Sequence, residues 1–106
     1  IPVMALRHQI AQKLHAVSAP SSMRAHDLID LQLLDKAYEG DYSDVRQTCM
    51  RLFAYRKMQA WPPTITGGAK WETAYADQLS SGDLILNVGD AISWANSLVG
   101  RIDAAR

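Results

Sequence analysis

The chain has 106 residues, of which 48% are apolar and 21% charged, enough for one core, too short for two domains and unlike a disordered segment. Its 11 basic and 11 acidic residues cancel, so the chain as a whole offers no basic field for nucleic acid. No apolar run approaches the roughly 20 residues of a membrane span, and the single cysteine, Cys49, excludes an internal disulfide and a multi-cysteine zinc site.

The chain opens Ile1-Pro2-Val3, with no methionine and no signal peptide, and reads as an excerpt of a longer cytoplasmic protein. Residues 41–70 carry an excess of basic side chains and residues 71–106 an excess of acidic ones. That asymmetry reads as a solvated mixed surface.

Helical spacing accounts for most of the pattern, and period-two alternation is absent. The expected fold is all-α, a small bundle of four to five helices. The first helix is expected over Met4 to Val17, with Leu6, Ile10, Leu14 and Val17 as its stripe. A proline-bearing break at Ser18 to Ser22 follows. The second helix spans Met23 to Tyr38 and stops at Gly40.

Asp41 or Ser43 caps a third helix that reaches about Lys57, with Val45, Cys49, Leu52, Phe53 and Arg56 along its buried stripe. Trp61-Pro62-Pro63 and the residues up to Gly68 cannot continue a helix and read as an ordered, partly extended loop. A short fourth helix runs from Ala69 to Leu79. The last helix carries Val88, Ile92, Ala95, Val99 and Ile102 and has two candidate starts. Either Asp83 caps it, or Asn87 does after a short extended Leu84-Ile85-Leu86.

Polar residues on apolar faces hold the functional signal. With Leu6 at zero and 100° per residue, Val17, Ile10, Val3 and Leu14 fall at about 20°, 40°, 60° and 80°. Lys13 falls at about −20°, on the edge of that stripe, while His8, Gln12 and His15 fall on the far side. On the second helix Asp27 and Asp30 lie inside an arc of leucines, with Gln32 and Lys36 on the polar side. A short loop makes the two helices antiparallel neighbours, which brings Lys13 toward Asp27 or Asp30.

Two readings of this hairpin stand side by side. One is a partly buried Lys13–Asp30 or Arg24–Asp27 bridge that fixes the two helices. The other is a lysine poised for phosphate beside a carboxylate that takes a proton or holds a metal. His26-Asp27 also suits a metal-dependent phosphohydrolase, which would need histidines converging from other helices. Trp61, Trp71, Tyr55, Tyr75 and Trp94 read as core aromatics, since no basic interleaving accompanies them. Cys49 reads as an inert core residue.

The run Gln9-Ile10-Ala11-Gln12-Lys13-Leu14-His15-Ala16-Val17, followed by Arg24-Ala25-His26-Asp27-Leu28-Ile29-Asp30-Leu31, resembles the AbiEii/AbiGii toxin family of nucleotidyltransferases. Phe53-Ala54-Tyr55-Arg56, Trp61-Pro62-Pro63 and Trp71-Glu72-Thr73-Ala74-Tyr75 extend the resemblance over nearly the whole chain. The resemblance implies the helical C-terminal half of a bacterial toxin–antitoxin or abortive-infection protein. Its partner would be an N-terminal nucleotidyltransferase core in the same chain, with an antitoxin and an RNA acceptor such as a tRNA end as further partners.

Carried over by resemblance, Asp27 is the catalytic carboxylate, Lys13 and Arg24 bind the nucleotide, and Asp30 supports them. Mg2+ and a nucleoside triphosphate are implied for the whole protein. No Gly-Ser followed by Asp-x-Asp occurs in these residues, so no metal ligand and no cofactor are assigned to this chain, which is expected to be inactive alone. The alternative is a stand-alone helical protein-interaction module.

Overall fold

The computed structural model describes residues 5–19, 24–57, 59–67, 70–78 and 84–105. Five helices follow in order: α1 Leu6–Val17, α2 His26–Ala37, α3 Tyr42–Arg56, α4 Trp71–Gln78 and α5 Val88–Ala104. No strand occurs among the described residues, and the protein is a small all-α bundle. No helix among the described residues is long and apolar enough to cross a membrane.

Local chemistry sets the helix ends. At α3 the cap is Asp41 rather than Ser43, because the Asp41 carboxylate accepts the Ser43 amide at 2.9 Å. The same helix stops where Lys57 turns left-handed, at φ 58°. Asn87 caps α5 by accepting from the Asp90 amide at 3.2 Å, so the later of its two expected starts is the one used. Asp83 lies outside the described residues, as do Met4, Met23, Ala69 and Leu79.

α2 ends earlier than expected. Tyr38 leaves the helix with ψ 121°, stacks on Tyr42 and donates its hydroxyl to the Asp41 carbonyl at 2.7 Å. Gly40 therefore lies beyond the helix end and does not terminate it.

α1 occupies the middle of one layer, packed extensively on both α2 and α3. A helix with two neighbours buries two faces, which corrects the expected outward placement of His15. Ile10, Leu14 and Val17 form one face, while Ala11 and His15 are buried on the other. His15 meets Phe53 edge-on, with ring centroids 4.9 Å apart.

α2 departs from expectation in the same way. Gln32, expected on the polar side, is buried, whereas Leu33 is half exposed and Ala37 is exposed. α4 and α5 both pack on α2 and shift its buried arc toward Gln32. On α3 two more residues leave the expected core. Tyr55 is 84% exposed, and Arg56 at the end of the α3 stripe is exposed as well.

The Trp61–Thr66 loop is ordered through side chains. Ile65 is buried, its amide donates to the Asn96 carboxamide at 2.8 Å, and its carbonyl accepts from the same side chain at 2.9 Å. Trp61 donates its indole N–H to Asp103 at 3.0 Å, which ties the loop to α5.

Candidate functional site

The α1–α2 hairpin brings all four candidate residues together. Lys13 sits in the third turn of α1, and Asp27 and Asp30 share one side of the first turns of α2. Lys13 Nζ lies 3.1 Å from Asp27 Oδ1 and 3.1 Å from Asp30 Oδ2, bridging the two carboxylates. Arg24, just before α2, places Nε 2.6 Å from Asp27 Oδ2. His26 Nε2 lies 3.3 Å from Asp27 Oδ1.

Both bridges weighed from the spacing, Lys13–Asp30 and Arg24–Asp27, exist at once. Asp27 has no exposed surface, while the Lys13 side chain is 30% exposed and Asp30 39%. A buried carboxylate is costly unless it is paired, and both oxygens of Asp27 are paired. The arrangement is a buried anion surrounded by accessible cations.

Burial by itself works to lower the Lys13 pKa. Hydrogen bonds to Asp30 and Asp27, together with their charges, outweigh it and hold the group above its ordinary 10.5. Arg24 is raised by its hydrogen bond to Asp27 and the charge behind it. Both side chains are therefore committed cations at any physiological pH.

Beside the hairpin a cleft of about 220 Å³ is lined by Gln12, Lys13, Ala16, Arg24 and Arg56. Three cations and no acid face that space. Arg56 escaped the sequence reading because its spacing put it on the α3 stripe. Its position at the exposed end of that stripe, one residue before the helix cap, is the signal that could have found it.

His26, Asp27 and Asp30 form a group of possible metal ligands whose atoms lie within 4.8 Å of one another. The donor chemistry does not fit a divalent cation, because Lys13 and Arg24 already neutralise Asp27 and would face the metal. The convergence of histidines that a phosphohydrolase site needs is also missing. His15 packs on Phe53 from α3, and among the described residues His26 alone joins the two carboxylates.

Cys49 is buried with its thiol pushed up to about 12 by burial, so it holds its proton and packs as a small apolar group. No family model and no curated protein matches this chain.

Proposed function

We propose that the chain is the helical half of an AbiEii-like nucleotidyltransferase toxin, acting in the cytoplasm within a toxin–antitoxin or abortive-infection system. The convergence of Lys13, Arg24, Asp27 and Asp30 beside a cleft lined by cations carries this reading. Lys13 and Arg24 offer N–H donors to the phosphates of a nucleoside triphosphate. As the phosphates take over those donors, an Asp27 oxygen is released to accept the proton of the attacking hydroxyl, whose oxygen bonds to the α-phosphorus as pyrophosphate leaves. Asp30 keeps Lys13 at the rim of the cleft. The metal of such a reaction would be held by carboxylates of the other half, since Lys13 and Arg24 occupy both Asp27 oxygens before the phosphates arrive.

The second reading is a stand-alone interaction module, in which the same cluster only locks the hairpin. The complete burial of Asp27 favours it. The coding DNA upstream of Ile1 and two variants of the full-length protein separate the readings. Under the first, an in-frame stretch bearing Gly-Ser and Asp-x-Asp precedes Ile1. Lys13→Met then lowers nucleotide transfer by roughly a hundredfold and also lowers the melting temperature, because it strips one partner from the fully buried Asp27. Asp27→Asn lowers transfer and stability together. If no such stretch exists, or if Lys13→Met transfers nucleotide at the parent rate, the interaction module takes its place.

A further inference from the structure

The cations of α1 and α3 do not stay scattered once the helices pack. A second groove of about 300 Å³ lies between these helices, lined by Arg7, His8, Gln12, Thr48, Arg51, Leu52 and Tyr55. Gln12 also lines the cleft that holds Lys13, Arg24 and Arg56, so the trough between α1 and α3 borders that cleft at this side chain. No acidic side chain lines either space. Arg7, Arg51 and Arg56 form no ion pair among the described residues.

Asp27 and Asp30 offset Lys13 and Arg24 at one end of this surface, whereas Arg7, Arg51 and Arg56 have no such acid. Other acids are engaged away from it: Asp103 with Arg46, Asp35 with Tyr42 and Asp41 at the α3 cap. Unpaired arginines lining a concave surface raise the local potential for anions. Next to them stands Tyr55, 84% exposed.

We propose that this α1–α3 trough binds a single strand of nucleic acid. Arg7 and Arg51 contact successive phosphates, Arg56 extends the track toward Lys13, and Tyr55 stacks a base. Unpaired arginines track a phosphate backbone, and an exposed aromatic beside them takes the face of any unpaired base. A duplex hides its base faces, and an acidic polypeptide has no planar ring for Tyr55. Single-strand chemistry uses both halves of the surface, and the inference stands apart from the nucleotide-transfer reading.

The test is fluorescence anisotropy of labelled oligouridylate, oligodeoxythymidylate, a duplex of matched length and polyglutamate against the purified protein. Both single strands are expected to bind more tightly than the duplex or polyglutamate, with affinity falling as salt rises. The double change Arg7→Gln with Arg51→Gln should reduce the slope of log affinity against log salt by about 1.4. Tyr55→Ala should weaken single strands about tenfold and leave the salt slope unchanged. Melting curves of the variants should match the parent, since all three side chains are exposed.

Preference for oligouridylate over oligodeoxythymidylate would identify the strand as RNA, and the reverse as DNA. Equal binding of polyglutamate with no effect of Tyr55→Ala would overturn the proposal in favour of an acidic protein partner. Absence of binding by either single strand at low salt would overturn it outright.

Discussion

Gln32 Nε2 donates to the Tyr75 hydroxyl at 2.9 Å, joining α2 to α4 across 43 residues of chain. Its Nε2 also donates to the Leu28 carbonyl at 3.2 Å, and its Oε1 accepts the Ile85 amide at 2.9 Å. The Tyr75 hydroxyl in turn donates to the Ile85 carbonyl. Every polar atom of Gln32 is thus satisfied inside the core, which is the condition under which a buried amide is tolerated.

Removing one member should be costly because the others stay buried. Gln32→Leu orphans the Ile85 amide and one Tyr75 contact, and should destabilise by about 2 kcal/mol. Tyr75→Phe should cost about 1–2 kcal/mol. Urea unfolding of the double variant should show a combined loss about 1 kcal/mol smaller than the sum of the two. Strict additivity would show that the contacts are independent.

His15 makes stability depend on acidity. Burial first, and then the Arg56 charge, lower its pKa below the ordinary 6.5. The unfolded chain therefore binds a proton at His15 more readily than the folded chain does. Stability held above pH 6.5 is lost as the pH falls through the folded value. Its Nε2 has no hydrogen-bond partner among the described residues, so no acceptor rescues the charged form. Melting temperatures between about pH 8 and pH 5 should fall more steeply for the parent than for His15→Leu. Parallel curves would remove His15 as the cause.

At the end of α3, Lys57 holds the left-handed conformation with φ 58° and ψ 19°. A side chain there costs about 1 kcal/mol relative to glycine. Lys57→Gly should raise stability by about that amount and the melting temperature by about 4 °C. A lower melting temperature would mean that the lysine side chain contributes packing there beyond its backbone strain.

Much of the fold was legible in the chain. Helical spacing marks α1, α3 and α5 clearly, and Asp41 and Asn87 were each one of two candidate caps, because short polar side chains satisfy free amides. The convergence of Lys13, Arg24, Asp27 and Asp30 was legible too. Charged groups inside a leucine arc on two consecutive helices have few other groups to reach.

Orientation was less legible. His15 and Gln32 both read as outward because a single helix pattern shows one apolar arc, and each of their helices packs against more than one neighbour. Tyr55 was expected in the core because aromatics at helical spacing are commonly buried, yet α3 turns that residue to solvent.

The sequence by itself determined the all-α class, a bundle of four to five helices and the pairing chemistry of the Lys13–Asp27 hairpin. These depend on spacing, caps and charges only a few residues or one short loop apart. Tertiary packing alone decided which second face of α1 and α2 is buried, and that Arg7, Arg51 and Tyr55 share one trough. The partners that satisfy Gln32 come from 43 and 53 residues away. No local periodicity can encode a contact whose other half is supplied by a distant helix.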